Sequence, residues 1–291
     1  MNLFSGIEKF GYNVEKVDKE LFKKTAKKPI KSLLPKSDAP QSEKDYLYNK
    51  RITCAVCQDP FEVKIVKSAR LRRMQPDFDL RPRFHDIDPV KYDVYSCPHC
   101  GYTAMSRYFD HLTKGQINLI KTEICDNFVF PNEDEPETYD IETAIMRYKM
   151  SLFTSITKHA RDSEKAYTCL KIAWLYRDLI KELPESTAEE METKKAVEEM
   201  QKEFYKEAFE GFQQAISSED FPICGMDSYT MDYLMACLAF HFKQYSYASK
   251  AISNILSSQT AQRRIKDKAL DLKTYIVDAI KKETAKKQEN A

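Results

Sequence analysis

Two cysteine pairs carry the most specific chemistry in the chain. Cys54 and Cys57 in TCAVCQ, and Cys97 and Cys100 in SCPHCGY, form two C-x2-C pairs separated by 39 residues. A tight turn through such a pair aims both sulfurs at one point while backbone N–H groups donate to them. Two such knuckles make a tetrahedral set of four sulfurs, the soft set that selects zinc, with iron in a rubredoxin-like centre as the alternative. Gly101, directly after the second pair, suits a turn that needs positive φ. Four thiolates also fill a tetrahedral sphere, so the expected role is to hold the fold and not to activate water. A redox C-x2-C works as a single pair at a helix start, which two pairs beside short strands do not match. His85 and His99 lie close in sequence, but four cysteines already complete a ligand set. Cys125, Cys169, Cys224 and Cys237 lack paired spacing, and Cys169 and Cys237 fall in apolar helical stretches as small buried hydrophobes.

The second chemical feature lies between the pairs. The segment SARLRRMQPDFDLRPRFHDIDP is polar and Pro-punctuated, and reads as an insertion loop with little regular structure. It carries Arg70, Arg72, Arg73, Arg81 and Arg83; with Lys64 and Lys67 before them and Asp77 and Asp79 opposing, residues 64–83 hold a net +5. Basic side chains beside a ribbon can contact phosphates, with Phe78 or Phe84 stacking on a base. Contact with the acidic residues at 133–142, or simple solvation, is the favoured reading of these arginines.

The elements that must position these groups follow from pattern. FEVKIVK from Phe61 alternates apolar and charged residues as a half-exposed strand does, and KYDVYSC from Lys91 favours strand too. A joining helix is expected around Gln116–Cys125. Between Glu123 and Glu142 eight acids occur with no Lys or Arg, the composition of a solvated boundary. From Thr143 onward the period becomes helical and repeats. Ala144, Tyr148, Ser151 and Leu152 are echoed by Ala208, Phe212, Ala215 and Ile216, and again by Ala248, Ile252, Ile255 and Leu256. A small residue lets a neighbouring helix approach, and a bulky one a turn later fills the gap. Apolar helices from Ala166 and Tyr229 precede the second and third echoes, so the helices form pairs. The segment QYSYASKAISNIL resembles the second helix of a tetratricopeptide repeat, although the echoes lie 64 and 40 residues apart instead of about 34. A last helix with Ile265, Ala269, Leu272, Ile276 and Ile280 on one face is expected to cap the stack.

The totals restrict the function classes. Lys plus Arg is 46 and Asp plus Glu is 45, so the net charge of +1 gives no global argument for nucleic acid or a membrane surface. No run approaches the roughly 20 apolar residues a membrane span needs, and the start lacks the basic-then-apolar order of a signal peptide. A cytoplasmic location is expected, where cysteines stay reduced. No nucleophile elbow, phosphate loop, dinucleotide fingerprint or H-E-x-x-H motif occurs, and the chain is read as non-enzymatic.

The stretch RMQPDFDLRPRFHDIDPVKYDVYSCPHCGYTA, with TCAVC upstream and LMACLAFHFKQYSYASKAI later, resembles a bacterial family of unknown function, DUF2225, from about Lys50 to the final helix. The Asp-Phe-Asp segment, Pro89, Tyr92 and the Cys-Pro-x-Cys-Gly-Tyr knuckle carry that resemblance. It implies a zinc-ribbon-type module followed by tetratricopeptide-like helices, and no substrate.

The expected architecture is therefore mainly α: a tetratricopeptide-like helical repeat domain behind a small N-terminal β-containing, zinc-ribbon-like module. Its parts are a short helix around Phe4, Ile7 and Phe10 with a Lys- and Pro-rich tether (1–50), the four-cysteine module with its joining helix (51–125), an acidic linker (126–142), the helical domain (143–285) and a tail (286–291). One structural Zn2+ on Cys54, Cys57, Cys97 and Cys100 is expected, and a protein or peptide partner in the helical groove, with Tyr176, Tyr229 and Tyr233 as candidate groove aromatics. The expected function is an adaptor. Nucleic-acid binding through the five arginines, and thiolate-based redox or metal-stress sensing, are the competing readings.

Overall fold

Two short antiparallel hairpins hold the cysteine pairs at their turns. The computed structural model describes residues 42–129 and 135–289; the helix read around Phe4, Ile7 and Phe10 and the tether up to residue 41 lie outside the described residues. Strand β1 (Leu47–Thr53) pairs with β2 (Pro60–Val66), Thr53 facing Pro60 at the turn and Leu47 facing Val66 at the open end. Strand β3 (Val94–Ser96) pairs with β4 (Thr103–Met105). The alternation read in FEVKIVK is present, because Phe61 and Val63 point inward and Glu62 outward. Strand β1 begins at Leu47, within the stretch read as tether. Its sequence hides it: only Leu47 is buried at one end, and Tyr48 to Arg51 are exposed. Of KYDVYSC only Val94–Ser96 is strand, since Pro89–Tyr92 forms a tight helical turn capped by the Asp88 carboxylate on Val90 N.

Helix α1 (Lys114–Glu123) follows, started by a capping box in which Thr113 and Gln116 satisfy each other's backbone N–H groups. Its Ile120, with Ile124 beyond it, packs with Phe61, Val63, Tyr102 and Phe109 around the cysteines. The module thus has an apolar core of its own, fuller than its polar sequence suggested.

Six more helices complete the described residues: α2 (Ile141–Thr157), α3 (Asp162–Glu182), α4 (Ala188–Ser218), α5 (Ser228–His241), α6 (Tyr245–Ser257) and α7 (Arg263–Glu289). Consecutive helices pack on one another along α2–α3–α4 and α5–α6–α7. Their starts are encoded locally: Asp140 accepts from Thr143 N, Asp227 from Thr230 N, and Thr187 with Glu190 forms a second capping box. Helix α3 has no side-chain cap of its own; Glu219, beyond the end of α4, accepts from Ser163 N at 2.9 Å and Ser163 Oγ at 2.6 Å.

The three echoes fall on α2, α4 and α6, and Ala144, Ala208 and Ala248 are each fully buried at helix contacts. Gly211 on α4 has the same cause: a Cβ there would stand 2.9 Å from that of Ala166 on α3. The charge-alternating run after Pro184 forms the largely exposed first half of α4, a helix of 31 residues whose second half buries Tyr205, Ala208, Phe209, Phe212 and Ala215. Helix α7 runs through Glu289, over most of the stretch read as a tail.

The cysteine module and the helices share a core. Val90, Val94 and Met105 pack with Ala144, Ile145, Tyr148, Ile172 and Leu175, and the described residues from 42 onward form one compact unit. Tyr148 donates to Val90 O at 3.0 Å, and the buried Lys171 of α3 pairs with Asp93. Burial opposes the Lys171 charge, yet the Asp93 carboxylate outweighs it and holds the ammonium above its ordinary range.

Candidate metal centre

The two knuckles are built alike. Cys54 N donates to Asp59 O and Gln58 N to Cys54 O; Cys97 N donates to Tyr102 O and Gly101 N to Cys97 O. In each, the residue after the second cysteine has positive φ, +68° at Gln58 and +75° at Gly101. At Gly101 the glycine is required for space as well, because a Cβ would lie 2.4 Å from the Phe128 ring. Val56 N also points at Cys54 Sγ, at 3.4 Å.

These turns bring Cys54, Cys57, Cys97 and Cys100 together as the spacing predicts. Cys54 Sγ lies 3.7 Å from Cys100 Sγ and Cys57 Sγ 3.7 Å from Cys97 Sγ, and all four sulfurs fall within 4.8 Å of one another. A disulfide needs about 2.05 Å. Zinc–sulfur bonds of about 2.3 Å give tetrahedral edges of about 3.8 Å, so the set can hold a metal ion with little movement. Cys54, Cys97 and Cys100 are buried and Cys57 is half-buried. Hydrogen bonds from Cys100 and Cys97 drive the Cys54 thiol far below the ordinary thiol range, and the same pairing with Cys54 drives Cys100 far above it. A divalent cation held between the four sulfurs would stabilise all four groups as thiolates.

His85 and His99 are exposed and stand outside the set. Cys125 is a residue that spacing could not find: it packs against the cysteine core from the turn after α1, and burial raises its thiol while a hydrogen bond with Cys100 opposes the rise.

The loop between the knuckles is where sequence and structure part. Its polarity suggested solvent, phosphate or the acids at 133–142 as partners of Arg70, Arg72, Arg73, Arg81 and Arg83. Arg70, Arg72 and Arg73 are exposed. Arg81 is fully buried, 2.5 Å from Asp88 and 2.7 Å from Asp178, and also donates to Trp174 O. Arg83 lies 2.5 Å from Asp178 and 2.6 Å from Asp77. Arg81 and Arg83 are thus engaged inside the chain, each with an acid near it in sequence and with Asp178 of α3, about 95 residues later. Of the described acids in that stretch, Glu135 pairs with Arg147 and Glu137 with Lys44.

The loop's acids complete the grip. Asp79 is buried and accepts from Trp174 Nε1 at 2.7 Å, from Arg177 at 2.8 Å and from Tyr205. Arg177 also binds Asp77 at 2.6 Å. Phe78 packs on Tyr233, Phe240 and Tyr275, and its carbonyl accepts from Tyr233 Oη at 3.0 Å. Of the three candidate groove aromatics, Tyr233 meets this loop, Tyr176 is buried against Phe204, and Tyr229 bonds Ser258 and Thr260.

The model of a family described as an uncharacterized protein conserved in bacteria matches residues 47–276. No curated protein and no solved structure matches the chain.

Proposed function

The chain belongs to DUF2225, and from that premise we propose that it is a non-enzymatic adaptor: a zinc-held module fixed to a tetratricopeptide-like stack of helices that grips an extended partner segment. The observation that carries this reading is the loop. Residues Asp77–Arg83 lie along α3, α4 and α5 held by side chains and by a backbone carbonyl, as helical-repeat proteins hold peptides. A cleft of about 390 Å³ remains open beside it, floored by Leu170, Trp174, Leu234 and Ile265. That volume lies in the range of ligand sites.

The metal's part in this reading is structural. Zinc is the ion favoured by four sulfurs at near-tetrahedral spacing, and the four-thiolate set leaves no position for water. Cys54, Cys57, Cys97 and Cys100 would hold it, and its work is to fix the two hairpins from which the gripped loop springs.

The test is crosslinking capture from the native host with the full-length protein and a Thr230→Trp variant, which plugs the cleft at its rim without changing charge. The adaptor reading expects a partner captured by the wild type and lost with Thr230→Trp, while an exposed control, Lys50→Ala, keeps it. Capture indifferent to the plug, or no partner at all, overturns it.

A further inference from the structure

The open cleft has a definite charge pattern. Arg264 and Lys268, one turn apart on α7, stand at its edge above apolar walls that include Leu80, Trp174 and Ile265. A second hollow of about 180 Å³ shares Leu80, Pro82 and Arg264 with it and adds Arg73. Among the described residues, Arg73, Arg264 and Lys268 make no ion pair; Lys268 only lies over the Tyr233 ring, 5.8 Å from its centroid. The acid lining the cleft is Asp79, and its carboxylate is already held by Trp174, Arg177 and Tyr205. The surface thus offers three cations that have no ion-pair partner among the described residues, set around an apolar floor.

The same helices show what such chemistry accepts. Next to the cleft they hold Asp77–Phe78–Asp79–Leu80 of this chain, both acids on Arg177 of α3 and the aromatic ring among Tyr233, Phe240 and Tyr275. We infer that the cleft bordered by Arg73, Arg264 and Lys268 is the docking site for an acidic peptide segment of a partner, one that alternates carboxylates with large apolar side chains and lies beside the chain's own Asp-Phe-Asp-Leu loop. The inference rests on the adaptor reading and names the partner's chemistry. Carboxylates of the segment meet the three cations, and its apolar side chains enter the floor between Leu170, Leu234 and Ile265. Because the cations are at the surface, the attraction is salt-dependent and acts on orientation and on-rate as much as on affinity.

Trp174 is the chain's single tryptophan and lines the cleft, so it reports occupancy directly. The full-length zinc-loaded protein is titrated with an acetylated octapeptide of alternating aspartate and leucine, following Trp174 emission and, independently, heat by calorimetry. Saturable binding is expected, weakened at least tenfold by Arg264→Glu with Lys268→Glu and by raising salt from about 50 mM to 500 mM. No binding is expected from the counterpart peptide with lysine in place of aspartate. Both variants are first checked for an unchanged thermal transition, and Arg264→Gln with Lys268→Gln serves where charge reversal perturbs the fold. Equal binding of the two peptides, binding unaffected by the substitutions, or no binding at low salt overturns the inference. So does a response to a single-stranded oligonucleotide or to decanoate with none to the acidic peptide. If the partner captured from the host is lost with Thr230→Trp but kept with the charge reversals, this inference fails and the adaptor reading stands.

Discussion

Gly101 and Gln58 occupy the same place in their two knuckles and answer differently to substitution. Both have positive φ, but Gly101 faces the Phe128 ring while Gln58 is exposed. Gly101→Ala therefore forces ring and backbone apart in addition to the left-handed strain of roughly 1 kcal/mol, and a chelator competition should show weaker metal retention. Gln58→Gly relieves the same strain and should leave metal retention unchanged within twofold. At the arginines the contrast is sharper. Arg81 is buried between Asp88 and Asp178, so Arg81→Ala empties a buried site and leaves Asp88 without its cation, while Asp178 keeps Arg83, and should cost about 3–5 kcal/mol in denaturant unfolding. Arg70→Ala, at an exposed position whose side chain donates to Asp45 O, should cost less than about 0.5 kcal/mol. The cysteine set was legible because four ligands of one type at knuckle spacing have few other uses. The fates of the arginines were not legible, because an Arg among Pro and Asp reads alike whether it meets water or an acid about 95 residues away.

At the scale of elements, most helix starts were written in the chain: Thr113, Asp140, Thr187 and Asp227 each cap the helix that follows. Helices α3 and α6 have no side-chain cap of their own, and the first turn of α3 is served instead by Glu219, which no local pattern announces. Glu219→Gln keeps the shape but removes the charge facing the positive helix terminus, and a loss of about 1 kcal/mol is expected in thermal unfolding. The small-residue echoes located α2, α4 and α6 because close helix approach demands alanine where two backbones meet. Strand β1 was missed for the opposite reason: an edge strand that buries one end shows no alternation to read.

At the scale of the molecule, the loop between the knuckles joins the cysteine module and the helices into one unit, and that joint should respond to acid. Burial alone raises the Asp178 carboxyl, but the Arg83 hydrogen bonds and the Arg81 charge outweigh it and push it down to about 2. Its folded-state value thus lies below the unfolded one near 3.9. The stabilisation is fully present above about pH 4 and lost as pH falls toward 2. The difference in unfolding free energy between wild type and Asp178→Asn should therefore shrink across that window, by on the order of 2 kcal/mol. All of this supposes that the hairpins carrying the loop are fixed by a metal. Native mass spectrometry of the full-length protein reads metal content and compactness together. A compact species holding one zinc per chain with four thiol protons displaced is expected; a compact, metal-free chain with all its thiols protonated would show that the hairpins need no metal.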